Sequence, residues 1–429
     1  MPASIRIGQD ESGIEFPDPS PREQSRAGIG SAATVMDSRR PGIRSRDAAA
    51  PVGALRGLDE CVRVAAMWAD EVDRDARFPA EAVAALRSAG MLGAVVPTAL
   101  GGGGLSLTQL AAITRALGRS CGSTAMIFAM HQAQVLSVVR HGRSESMRAL
   151  LTAVAANQLL VTSATTEIDV RGGIRSSGCA VEHRDGRVRL AKTAPVIAYG
   201  AYADVVMVTA RRTPAGAPND QVVLACPRSE MRLTAVGTWD TVGFRGTRSP
   251  GFRLAVDTGS GALVDDPYAE ISARTMLPAA HVLWSAAWLG IADAALLRAR
   301  RSVQTARRRS AGPPPLSAIR LAELVIAHQQ LVDTVLGAAA RFEFLARNPA
   351  AVSPVGVALE FNAVKVGASA LLIDLVGRAR TICGFAGSLP DHDPAMSRHL
   401  RDAYGTAVMV SNDRILSQDS QLALLREGH

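Results

Sequence analysis

Residues 78–107 read FPAEAVAALRSAGMLGAVVPTALGGGGLSL. Phe78-Pro79 breaks the chain, because proline disfavours helix in the residue before it. Residues 80–89 then carry apolar side chains at three- and four-residue spacing, which predicts a short amphipathic helix. Gly90 stands where a left-handed C-terminal residue ends such a helix. Gly101 to Gly104 form a turn cluster. They do not follow a strand in a strand–helix–strand unit, so they are a tight turn and not a dinucleotide fingerprint. Working outward, residues 58–71, 106–117 and 123–139 share the helical period, and residues 51–160 form one N-terminal helical domain.

Beyond residue 160 the period changes. Residues 159–163, 187–190, 205–209, 222–225 and 251–256 are short runs rich in Val, Leu and Thr. Turn signals such as Asp185-Gly186 separate them. That spacing predicts a small antiparallel barrel or sandwich over 161–265. From 266 to 429 the helical period returns in four long segments, 273–305, 317–346, 355–380 and 395–427, which read as a four-helix bundle. Residues 1–50 are rich in Ser, Pro, Gly, Arg and Asp without a hydrophobic period and read as a disordered extension. The fold class is therefore α+β: helices, a small β-barrel, then a helical bundle.

Composition narrows the function. The chain has 429 residues, a formal net charge of +8 and 4% aromatic residues. The excess charge lies in short Arg clusters at 298–301 and 307–309, without interleaved aromatic residues, so a nucleic-acid groove is not supported. The five Cys are scattered and without CxxC spacing. They argue against a disulfide framework or a zinc site and for a reducing, cytoplasmic compartment. No secretory signal and no uninterrupted apolar run of membrane-spanning length is seen. Residues 278–295 come closest, but His281, Ser285 and Asp293 interrupt them.

Six stretches in order resemble the acyl-CoA dehydrogenase superfamily over about residues 55–425. They are 78–107, quoted above; 118–131, GRSCGSTAMIFAMH; 162–167, TSATTE; 239–249, WDTVGFRGTRS; 287–295, AWLGIADAA; and 381–404, TICGFAGSLPDHDPAMSRHLRDAY. The resemblance implies a flavin, FAD, held between the barrel and the bundle. It places Ser163, Thr165 and Thr166 at the edge of the isoalloxazine, with the strand KTAPVIAY at 192–199 beside them. Val196 and Ala198 fall where many relatives have an aromatic residue and a Ser or Thr. The adenosine end falls at Thr381, Gly384 and Gly387, and Arg307 or Arg308 of a neighbouring subunit would pair the pyrophosphate. Homotetramers or homodimers are implied.

The family's reaction removes an α-proton from an acyl thioester, carried by CoA or an acyl carrier protein, and needs a carboxylate base. The two positions where relatives carry that Glu are Ala280 and Val410 here. Two expectations stand side by side. An unusual base such as His281, Asp413 or Glu167 could serve a dehydrogenase that passes electrons to an acceptor. Otherwise the chain resembles the flavin-dependent monooxygenase branch, fed by a separate flavin reductase, with His131 on the helix lining the active site. A catalytically silent relative is a third class.

Overall fold

The computed structural model describes residues 57–168, 174–309, 313, 315–388 and 396–424. The extension expected over 1–50 lies outside them. The first five helices are α1 (Leu58–Arg74), α2 (Ala80–Ser88), α3 (Leu107–Ser120), α4 (Gly122–His141) and α5 (Glu145–Asn157). Gly90 takes φ +73° after α2, as its position predicts. The Gly101–Gly104 cluster is a turn folded tightly on the preceding segment: a Cβ at Gly102 would lie 2.2 Å from the Val96 carbonyl. Ser106 caps α3 through a reciprocal bond with Gln109.

Seven strands follow: β1 (Val161–Ala164), β2 (Glu182–Arg184), β3 (Arg187–Ala194), β4 (Val205–Arg211), β5 (Gln221–Pro227), β6 (Met231–Val236) and β7 (Gly251–Gly259). They form two sheets, ordered β1-β4-β5 and β2-β3-β7-β6. The expected antiparallel pairing holds for all of these except β1–β4, which is parallel. The chain leaves β1, builds the β2–β3 hairpin of the other sheet, and only then returns as β4, so it enters both strands from the same end.

The strands β4 and β5 are buried on both faces. In β4, Val206, Val208 and Ala210 point into a core shared with Leu190, Phe252 and Leu254 of the second sheet. The alternate residues Val205 and Met207 join the core of the helices. A two-residue side-chain period with apolar groups on both faces is what makes residues 205–208 a continuous hydrophobic run.

The C-terminal part begins with α6 (Tyr268–Ile271) and a π-turn at Ser272–Met276. The long helices α7 (Leu277–Arg309), α8 (Leu316–Arg347) and α9 (Pro354–Cys383) follow. The segment expected as one helix over 395–427 is two, α10 (Ser397–Val408) and α11 (Asn412–Leu424), broken at residues 409–411. At the break, the Val410 carbonyl accepts a hydrogen bond from the Lys365 ammonium on α9. Two helices, α7 extended back through Tyr268 and α9, have the length and composition of a membrane span, but 89% of the apolar window around α7 is buried inside the fold. It is a core helix.

Two glycines let α7 take that central place. A Cβ on Gly118 of α3 would lie 2.3 Å from the Ala287 carbonyl, and one on Gly290 of α7 would lie 2.2 Å from the Arg115 carbonyl. The helices therefore meet backbone to backbone. Beside the crossing, Arg115 forms a two-pronged pair with Asp293 at 2.7 and 2.8 Å. His328 of α8 binds the same carboxylate at 2.7 Å.

Three of the quoted stretches also meet at one junction. Asp402, in the Arg-Asp-Ala sequence of α10, accepts the Phe244 N–H at 2.7 Å. Arg401 pairs with Asp73 of α1. The Gly246 N–H donates to the Ser123 hydroxyl of α4 at 3.1 Å.

Gly290→Ala and Gly118→Ala each force backbone apart in a packed interior, and each is expected to cost about 3 kcal/mol in chemical denaturation. Because they relieve the same contact, the double variant should lose less than the sum.

Candidate functional site

The helix α7 carries four polar side chains at positions i, i+3, i+4 and i+7: His281, Trp284, Ser285 and Trp288. That spacing puts them on one face. All four are buried, the most exposed being Trp284 at 9%. Among the described residues, the His281 Nε2, the indole N–H of Trp284 and of Trp288, and the Ser285 hydroxyl have no hydrogen-bond partner. Buried polar groups are normally paired, so a cluster of four on one helix face marks a place built for something else. His281 Nδ1 lies 3.1 Å from the Phe361 carbonyl of α9, an acceptor, so Nδ1 carries the proton and Nε2 presents a lone pair. Burial, reinforced by Lys365, lowers its pKa to about 4, and the ring is neutral.

Facing this stripe from α9 is Lys365, with no exposed surface. Its ammonium donates to the Val410 carbonyl and to Asn412 Oδ1 at 2.6 Å. It lies 5.9 Å from the centre of the Trp288 ring. Asn412 in turn donates to the Ser369 hydroxyl at 3.0 Å. Burial lowers the lysine pKa to about 8. The two positions at which the resemblance leads one to expect a Glu thus abut the same turn of α9. Ala280 precedes His281, which binds Phe361, and Val410 is held by Lys365, four residues farther along.

On the β side, two expected flavin-contacting stretches run together. The Thr162 hydroxyl donates to the Ala198 carbonyl at 2.7 Å, and the Tyr199 hydroxyl to the Val161 carbonyl at 2.9 Å. Ser163, Thr165, Thr166 and Ala198 are partly exposed, and Val196 is 46% exposed. The strand β1 is a sheet edge. Three available hydroxyls beside an uncovered Val196 fit the rim and face of a flavin ring, which needs hydrogen bonds at its carbonyls and nitrogens and apolar contact on its plane.

The remaining candidates are placed as follows. His131 is fully buried on α4, its Nε2–H bound to the Leu92 carbonyl at 2.7 Å and its Nδ1 accepting the Val161 N–H at 3.0 Å. Both nitrogens are used, and burial lowers its pKa to about 4. It ties α4 to the start of β1. Glu167 is buried too, accepting bonds from Ser177, Gly178 and Cys179. Asp413 is exposed in the first turn of α11. Arg307 and Arg308 are exposed on the last turn of α7. The Thr381 hydroxyl bonds the Gly377 carbonyl at 3.0 Å, Gly384 takes φ +65°, and Gly387 is buried and donates to the Gly384 carbonyl. Sequence reading missed Lys365, Asn412, Trp284 and Trp288. The available signals were the helical spacing of 281, 284, 285 and 288, and a lone lysine in the apolar run of α9.

Both His131 and His281 stay neutral when folded but bind protons near pH 6.5 when unfolded. Their contribution is complete above pH 6.5 and is lost as pH falls through about 4. Each is worth about 3 kcal/mol at most. The buried His399 is shifted the same way and the buried Asp402, raised to about 6, works against the three, so chemical denaturation between pH 7 and 4 should show a net slope near two protons. His131→Gln, which keeps an acceptor and a donor, should reduce it by one.

Comparison with known proteins places this architecture. The acyl-CoA dehydrogenase N-terminal domain family matches residues 59–158. The amino sugar nitrososynthase DnmZ of Streptomyces peucetius is 29% identical over 348 residues, covering 74% of this chain and 80% of that protein. The structure of TdsC from Paenibacillus sp. A11-2 with FMN and indole superposes with a TM-score of 0.76 at 19% identity, covering 88% of this chain and 98% of that one. The structure of butyryl-CoA dehydrogenase from Megasphaera elsdenii superposes with a TM-score of 0.73 at 19% identity, covering 87% and 98%. The structural likenesses show that the chain has the acyl-CoA dehydrogenase fold, and residues 59–158 match the family's N-terminal domain.

Proposed function

We propose that this protein is a flavin-dependent monooxygenase that oxygenates the nitrogen of an amine, using reduced flavin from a separate reductase and dioxygen. The observation that carries the reading is the side chain at the base position. Where α,β-dehydrogenation of an acyl thioester needs a carboxylate, Val410 presents only its carbonyl, and that is held by the ammonium of Lys365. An ammonium with a pKa near 8 is mostly protonated at pH 7 and cannot take an α-proton. Asp413 is one turn away on the surface, and Glu167 is committed to the β core. The nitrososynthase relative, matched over most of both chains, supports nitrogen as the atom oxidised.

Reduced flavin supplies the two electrons that split dioxygen, one oxygen atom going to the substrate and the other to water. Ser163, Thr165 and Thr166 would hold the ring edge, with Val196 against its face. The buried walls of α7 and α9 exclude water from the reacting atoms, which protects oxygen transfer from hydrolytic loss. We take the flavin as FAD, its adenosine meeting residues 381–387. Reconstitution should then bind FAD at least tenfold more tightly than FMN in equilibrium dialysis, and equal affinities would remove the adenosine site.

Anaerobic addition of mixed acyl-CoA to the flavin-loaded protein should leave the visible flavin bands unchanged. With a flavin reductase and NADH, an amine substrate should raise oxygen uptake and yield hydroxylamine in place of hydrogen peroxide. Bleaching by acyl-CoA would instead establish a dehydrogenase with a displaced base.

The protein is proposed to act as a homo-oligomer. Leu316, Ile319 and Ile326 of α8 are 67%, 63% and 64% exposed, an apolar face suited to a second copy. Sedimentation velocity should show a dimer or larger species, and Ile326→Glu should shift it to monomer.

A further inference from the structure

The stripe on α7 and the lysine opposite share one chemical bias, which is donation. Indole N–H groups donate only. An ammonium has three protons, and Lys365 places two, on the Val410 carbonyl and Asn412. One remains. The Ser285 hydroxyl can turn to donate as well. Among the described residues, no acidic side chain pairs with the ammonium. From α7 the titratable group facing Lys365 is His281, which is neutral. From α11 it is Asp419, which accepts the Asn362 amide at 2.7 Å. The 409–412 turn offers a carbonyl and an amide, and Asp413 points to solvent. A buried cation without a counter-ion and buried donors without acceptors are both costly, and here they lie together.

We propose that the seam between α7 and α9 is a carboxylate-binding subsite, in which Lys365 supplies the charge and the indole N–H groups of Trp284 and Trp288 with the Ser285 hydroxyl supply the directed bonds. One uncompensated positive charge matches one negative charge. Three or four free donors match the four lone-pair positions of a carboxylate. A phosphate would bring more negative charge than a single ammonium offsets. The subsite deepens the monooxygenase reading and rests on it for the word substrate: the amine to be oxygenated carries a carboxylate, as an amino acid does, and is not a fatty acyl thioester. The same ammonium repels a protonated amine, so the substrate's nitrogen is held away from Lys365 while its carboxylate is drawn to it.

Two of the chain's four tryptophans line the subsite, so intrinsic fluorescence reports it. The purified full chain, without added reductase, is titrated with butyrate and with butyramide, its neutral isostere. Butyrate should give a saturable change, and butyramide should bind at least tenfold more weakly. The butyrate affinity should fall as pH rises past about 8, where Lys365 loses its proton. Lys365→Met should lower butyrate affinity at least tenfold. Trp288→Phe, which keeps an aromatic ring and removes one donor, should lower it severalfold, with folding of both checked by circular dichroism. Trp288→Phe keeps the test decisive if Lys365→Met does not fold. Equal binding of acid and amide, no saturable response to either, undiminished binding in the folded variants, or equal competition by inorganic phosphate would each overturn the assignment. The measurement uses neither oxygen nor turnover. A failed oxygen-uptake assay with intact butyrate binding therefore sinks the monooxygenase reading and leaves the subsite, and the reverse result does the opposite.

Discussion

Backbone contact between α3 and α7 at Gly118 and Gly290 is the constraint on which the other arrangements depend. Helices usually meet through side chains, with axes 8–10 Å apart. Here each glycine faces a carbonyl of the other helix, and no side chain intervenes. Drawn in this far, α7 is covered by the N-terminal helices on one side and by α8 and α9 on the other. Twenty of its 33 residues are buried. Every polar residue on such a helix must find a partner inside the protein, or wait for one.

Asp293 finds its partners, the Arg115 guanidinium and His328, and that three-way contact tightens the crossing. His281, Trp284, Ser285 and Trp288, which lead up to and into the crossing, keep unpartnered atoms. The difference separates structure from function along a single helix. A chain selected only for stability would fill the seam with Leu and Ile, because an unpaired buried donor costs about 1–3 kcal/mol. The α9 lysine raises that cost, and its bond to the Val410 carbonyl lies at the break between α10 and α11. That turn holds Val410, one of the two positions at which the resemblance leads one to expect a base.

Much of this was legible in the residues. The change of period near residue 160 and again near 266 located the strands between two helical parts, because a two-residue and a 3.6-residue side-chain period cannot be confused over such lengths. Gly90 and the Gly101–Gly104 turn were legible because positive φ and close backbone approach select glycine locally. The parallel β1–β4 pair was not legible, since pairing partners 44 residues apart leave no mark on either strand's own period.

The sequence by itself determined the order of elements, the ends of the early helices and the absence of a carboxylate at both expected positions, all properties of neighbours along the chain. Only the tertiary structure decided that His131 is a fully bonded strut between α4 and β1. Only it showed that Glu167 is spent inside the β core, and that Lys365 meets the four polar residues of α7. A histidine or lysine on an apolar helix reads the same whether it is satisfied or waiting. The distinction lies in which atoms come within hydrogen-bond reach, and here those atoms come from helices, strands and turns far apart in the chain.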